Sequence, residues 1–247
     1  MKTMISFVAG LVGLFALAPT GVAEAQGYNW TGFYAGGNLG YASGSSDSVS
    51  ILQTAPNANV QDVNNLWSPT LHPNGVSGGL QGGFNWQWNS LVFGAELEMN
   101  SFGTKDQVSL TSNFPGGCLC PHTLQSRVWT DWLLTFRPRI GWAADNWLFY
   151  VTGGLAVTDL HARWQYSDVL NEAQNSTASA TKAGSAVGGG IEIGLTRNLT
   201  VKGEFLFLSF GSISTSGNFT PAALNIPVFH SANLNTAVGR LGLNYRF

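Results

Sequence analysis

The spacing of period-two segments restricts this chain more than any other feature. Eight stretches alternate apolar and polar side chains, as a β-strand with two unlike faces does. They cover about 31–42, 75–88, 91–102, 128–143, 147–158, 182–195, 199–210 and 234–247. Each is about ten to sixteen residues long, against roughly five or six in soluble sheets. Short turns at Asn89-Ser90, Asp145-Asn146 and Arg197-Asn198 alternate strictly with four connections of roughly twenty to thirty residues. An even strand number with short turns at one end and long loops at the other is the pattern of a barrel that crosses an outer membrane. The expectation is an all-β fold, an eight-stranded antiparallel up-and-down transmembrane β-barrel.

A soluble barrel of lipocalin type also alternates, with its apolar side chains inward. Three observations count against it. The strands are too long, and charged residues are only 10% of the 247, against roughly a quarter in soluble domains. Tryptophan also gathers beside the short turns: Trp86, Trp88, Trp142 and Trp147 share the apolar parity there, with Tyr245 and Phe247 at the same end. That is an aromatic girdle at one membrane interface. A net charge of −2 gives no basic footprint for nucleic acid.

The amino end sets the compartment. Lys2, the apolar run Ile5 to Ala18 and Ala23-Glu24-Ala25 follow the plan of a secretory signal peptide. Residues 1–25 are read as that peptide and 26–247 as the barrel, exported across the inner membrane to a bacterial outer membrane. No later stretch approaches the roughly twenty apolar residues of a spanning helix.

Ionic residues within the strands all fall on the polar parity. Eight of them, Glu96, Glu98, Arg137, Arg139, Glu192, Lys202, Glu204 and Arg240, lie within about eight residues of the short turns. An eight-stranded barrel is just wide enough inside for side chains to fill. The expectation is an interlocked ion-pair network that plugs the lumen; a solvated lumen forming a narrow porin-like channel is the alternative. Pro138 lies mid-strand on the lipid-facing parity, where a local bulge is expected.

The four histidines, His72, His122, His161 and His230, fall one per long connection, and Cys118-Leu119-Cys120-Pro121-His122 holds both cysteines. Cys118, Cys120 and His122 are candidate metal ligands, and clustered imidazoles could hold haem. Coincidence is the simpler reading, so no metal and no cofactor are expected. The long loops equally suit a surface antigen, host-ligand contacts or contacts with lipopolysaccharide. No phosphate loop, Gly-x-Ser-x-Gly elbow or zinc-protease helix occurs, and no enzyme activity is expected.

Several segments carry a family resemblance. Trp30-Thr31-Gly32-Phe33-Tyr34-Ala35-Gly36-Gly37-Asn38-Leu39-Gly40-Tyr41, Gly78 to Gln87, Val151 to Ala156, Lys202 to Leu206 and Val238 to Phe247 resemble the alphaproteobacterial small outer-membrane barrel proteins. These include the rhizobial RopB proteins, the major Brucella outer-membrane antigens and the Bartonella haemin-binding proteins. The resemblance covers essentially all of 26–247. It implies an integral outer-membrane protein with structural, surface-exposed or weakly porin-like roles, with no catalytic residues to carry over. It departs at Pro138 and in the long loops.

The last strand, Asn235 to Phe247, places Leu241, Leu243, Tyr245 and Phe247 on the lipid face and Arg240 and Arg246 inward. Its alternate apolar residues and final aromatic look like the signal read by the barrel-insertion machinery. Outer-membrane lipids, lipopolysaccharide and that machinery are the expected partners. No wall-binding domain is expected after Phe247.

Overall fold

The computed structural model describes residues 28–54, 57–114, 120–221 and 226–247. The expected signal peptide lies outside them. The elements are β1 (Gly32–Leu52), α1 (Ala58–Leu66), β2 (Thr70–Leu71), β3 (Asn74–Trp88), β4 (Leu91–Phe102), β5 (Lys105–Asn113), β6 (Pro121–Trp129), β7 (Trp132–Ala144), β8 (Trp147–Asp168), β9 (Ala173–Gly194), β10 (Leu199–Asn218) and β11 (Pro227–Arg246). All eleven strands join one antiparallel sheet. Pairing runs from β1 through β3, β4, β7, β8, β9, β10 and β11 and returns to β1. A sheet that closes on itself leaves no continuous unpaired edge. No helix among the described residues is long and apolar enough to cross a membrane.

The short turns form where Asn and Asp can take left-handed backbone: Asn89 has φ 53° and Asp145 φ 51°. Outward from those turns the side chains alternate as expected. Phe33, Leu39, Leu80, Leu97, Phe136, Val151, Leu155, Val187, Phe205 and Leu241 are exposed, and their neighbours along each strand point in. Such an exposed apolar belt is far larger than a soluble monomer tolerates.

At the other end, called distal here, the strands differ from expectation. β1, β8, β9, β10 and β11 are 21, 22, 22, 20 and 20 residues long. Much of what reads as loop is therefore strand. The segment 128–143 is two strands: β7 pairs with β8 up to Leu133–Thr158, and β6 takes over from Trp129–His161 to His122–Asp168. β5 and β6 form a hairpin in this distal extension, and β2 pairs there with β1. These additions make eleven strands where eight were expected.

The extension has its own core. Trp67, Leu71, Leu124, Leu160, Trp164, Tyr166, Phe210, Phe219, Val228 and Leu234 pack inside it, while Ser, Thr, Asn and Gln dominate its outer face. α1, capped by Asn57 through its side-chain oxygen to the Val60 amide (2.9 Å), buries Val63 and leads into the fully buried Trp67. The Trp67 ring meets Tyr166, Phe219 and His230.

Pro138 sits without the expected bulge. Phe136–Leu155 and Arg139–Thr152 keep one register on β8, and Arg137 and Pro138 are left out of that ladder. Proline has no N–H to give it; the Thr152 hydroxyl donates to the Pro138 carbonyl at 2.9 Å. Opposite, Gly154 permits an approach of β7 backbone that a Cβ would block. A bulge occurs instead at β10, between Ser209 and Ser212, where Gly211 has φ +67°.

Candidate functional site

The inward side chains near the short turns come from seven strands. β4 carries Glu96 and Glu98, β7 Arg137 and Arg139, β9 Glu192, β10 Lys202 and Glu204, and β11 Arg240, with Tyr34 on β1 and Tyr150 on β8. Each lies on its strand's inward parity, so strand pairing alone brings them to one depth. All eight charged residues expected there fall in one connected network, and none is more than 5% exposed.

Arg137 is its centre, reaching Glu96 at 2.7 Å, Glu98 at 2.8 Å and Glu204 at 3.1 Å. Lys202 meets Glu96 at 2.7 Å, and Arg240 pairs with Glu98 and Glu204. Arg139 pairs with Glu192 at 3.1 Å. Four acids and four bases leave the network itself without net charge, as buried ions require. Carboxylate oxygens of Glu96, Glu98 and Glu204 lie within 4.8 Å of one another. Arg137 touches all three, so bases already supply the charge that a metal would bring.

Neutral partners that sequence reasoning missed complete the network. The Tyr34 hydroxyl donates to Glu96 and the Tyr150 hydroxyl to Glu204, each at 2.9 Å. The Arg139 guanidinium donates to Asn85 at 2.9 Å and lies over both tyrosine rings, at 4.8 and 5.1 Å. Asn244 and Thr200 donate to Glu192. The inward parity these residues share with the charges was the signal for them. Gly83 and Gly190 make room: a Cβ on either would run into the Tyr34 or Tyr150 hydroxyl.

The lumen is also filled on either side of the charges. Toward the short turns, Trp30, Val92, Ala143 and Leu148 form a second apolar cluster with Tyr150. Arg246 lies over the Tyr28 and Trp30 rings, at 4.8 and 5.7 Å. Toward the distal end the core of the extension begins.

Of the other expected residues, Trp86, Trp88, Trp142 and Trp147 all point outward at the short-turn end, as do Leu241, Leu243, Tyr245 and Phe247. The histidines do not cluster. His72 is exposed and His161 half-buried on the outer face, whereas His122 and His230 are buried in the extension. His230 stacks on Trp164 at 4.9 Å, and its Nδ1 meets the Ser50 hydroxyl at 2.8 Å. Burial pushes the His230 imidazole down to about 4. His122 lies against Phe114 and Tyr166; burial lowers it too, against the opposing pull of Asp62 and Asp168. Cys118 lies outside the described residues, and Cys120 is disulfide-bonded, so Cys120 offers no free thiolate to a metal.

With an inward ionic cluster and an outward apolar belt established, comparison with known proteins decides the family. A family model described as an outer membrane protein β-barrel domain matches residues 9–247. The chain belongs to that family. A 31 kDa outer-membrane immunogenic protein of Brucella melitensis is 30% identical over 236 residues, covering 93% of this chain and 88% of that protein. A 22 kDa outer membrane protein of Rhizobium leguminosarum bv. viciae is 27% identical over 184 residues, 74% of this chain and 66% of that one. Among solved structures, the outer membrane protease OmpT of Escherichia coli matches with a TM-score of 0.46 at 10% identity, covering 91% of this chain and 99% of that one. The attachment invasion locus protein Ail of Yersinia pestis matches with a TM-score of 0.34 at 13% identity, over 88% and 99%. The protein is thus an outer-membrane β-barrel of the small alphaproteobacterial group, and its place is the bacterial outer membrane.

Proposed function

We propose that this protein is a closed barrel that strengthens the envelope and presents a surface, rather than a channel. The eight strands of the pairing ring are read as the membrane-spanning staves, with β2, β5 and β6 belonging to the extension. Short turns of such barrels face the periplasm and long connections the exterior, so the extension is read as standing outside the cell. The observation that carries the reading is the ion-pair network across the lumen, with Arg137 bound to three carboxylates. Apolar clusters lie on both sides of it.

The network's acids are held by bases, an arrangement that favours structure over acid–base catalysis, and no enzymatic role is proposed. Contacts with lipopolysaccharide and other outer-membrane lipids suit the apolar belt. Leu241, Leu243, Tyr245 and Phe247 are proposed as the segment read by the insertion machinery. The Brucella relative is named as immunogenic, which agrees with a surface role for the extension. Single-channel recording on the purified, refolded protein tests the reading. The expected record has no stable large-pore conductance; a steady open level would favour the passive pore. A Soret shift on haem titration would favour the haem-binding alternative.

A further inference from the structure

The charges on the outside of the extension are not spread evenly. Among the described residues, its β1, β9, β10 and β11 faces carry mostly Ser, Thr and Asn, the apolar Val49, Ile51 and Phe229, and a single acid, Asp47. Its outward bases, among the described residues, are Lys105, Arg127 and Arg163, on the adjacent strands β5, β6 and β8. Arg127 and Arg163 are direct cross-strand partners, and Lys105 pairs with Trp129 one rung lower. Like charges directly opposite each other destabilise a sheet unless something lies between them. No acidic side chain among the described residues is within ion-pair distance of any of the three. The nearest acids on this face, Asp131 and Asp159, sit lower. Asp159 is engaged by His161 at 3.1 Å and by the amides of Asp131 and Trp132.

Height gives the partner. On β8 the last outward apolar residue is Val157; Asp159, His161 and Arg163 follow on the same face. Six residues at about 3.3 Å, on a strand tilted by about 40°, put the Arg163 Cα about 15 Å above the hydrocarbon edge. Long basic side chains reach back from there toward the headgroups. Trp129 is placed between: Arg127 lies over its ring at 5.0 Å and His161 stacks on it at 5.0 Å. Amphipathic rings at this level are interface anchors.

We propose that Arg127 and Arg163, with Lys105, bind the phosphorylated sugar headgroup of the glycolipid in the outer leaflet around the barrel. The site rests on the outward orientation of the extension proposed above, but not on whether the lumen conducts. The test titrates bisphosphorylated lipid A, and its fully dephosphorylated form, into the full chain refolded in zwitterionic micelles. Adduct formation is followed by native mass spectrometry. The phosphorylated lipid binds the wild-type chain and the dephosphorylated form binds at least about tenfold more weakly. The double variant Arg127→Gln/Arg163→Gln loses about thirtyfold in affinity, as expected for removing two bases at an anionic lipid surface. Arg197→Gln, in a short turn, changes nothing. Equal binding of the two lipids by wild type would overturn the proposal, and that comparison stands even if the double variant fails to refold. Unchanged affinity in a folded double variant would overturn it as well. Displacement of the lipid by millimolar inorganic phosphate would assign the site to soluble anions instead.

Discussion

The membrane belt and the distal extension are built from the same strands with opposite polarity. In the belt, Phe149, Val151, Leu155 and Val157 of β8 face outward, and Leu148, Tyr150 and Thr152 face the lumen beside the ion pairs. Beyond Asp159 the same strand turns His161, Arg163 and Gln165 outward and buries Leu160, Ala162, Trp164 and Tyr166. The pairing of β8 with β9 runs through this change without a register shift. The solvent changes, not the backbone. Lipid outside demands apolar side chains there and lets charge pair inside; water outside demands the reverse.

Arg137→Ala breaks the belt's half of this comparison most severely. It leaves Glu96, Glu98 and Glu204 short of a shared partner, and removing one member of a buried ion set costs about 3–5 kcal/mol. Equilibrium unfolding in urea from lipid vesicles should show that loss. Trp67→Ala is the matching test for the extension. A large aromatic removed from a packed core costs about 3–5 kcal/mol, and here the loss should appear as protease cleavage within the extension while the belt keeps its heat-modifiable gel mobility.

Acid should separate the two regions. The His230 imidazole is depressed to about 4 in the folded protein, below its usual value of about 6.5. The unfolded state therefore binds the proton first. The contribution is fully present above about pH 6.5 and is lost as pH falls from there toward 4, by about 3 kcal/mol in all. Hydrogen exchange in the extension should rise over that window, and His230→Phe should flatten the rise. The smallest effect is the most diagnostic of polarity. Ser214→Arg, on the outer face of the extension opposite the neutral Ser231, should change stability by less than about 0.5 kcal/mol. Leu155→Arg, on the same side of the wall at belt level, should cost about 2–4 kcal/mol. Equal costs in urea titrations of the two variants would erase the boundary.

The belt was legible in the sequence because its two faces differ so strongly. Arg240 against Leu241, or Glu96 against Leu97, leaves no doubt which way each points, and Asn89 and Asp145 mark the turns. The extension was not legible for a physical reason. Ser46, Ser48 and Ser50 are buried while Ser43 and Ser45 face out, and in β9 the stretch Asn175 to Ala183 puts Ser, Thr and Ala on both faces. Small residues on both faces give no period. Where the period persists, its phase reverses: the apolar residues of β8 move from odd to even positions at Asp159. Read as one pattern, that reversal looks like the end of a strand; we read it as the edge of the membrane. The eight lumen charges needed only parity and depth to be gathered, whereas Tyr34, Tyr150 and Asn85 carry no charge to draw attention to them. Trp67 is brought in by α1 and shares no parity with any strand.

The reversal can be measured directly along β8. Single cysteines carrying a spin label, placed one at a time from Phe149 to Ser167 in the refolded barrel, report access to oxygen in lipid and to a nickel chelate in water. A membrane edge at Asp159 predicts oxygen access at positions 149, 151, 155 and 157. It predicts nickel access at 161, 163 and 165, and little of either at 160, 162 and 164. Lipid access at 161–165, or water access at the even positions between them, would contradict it.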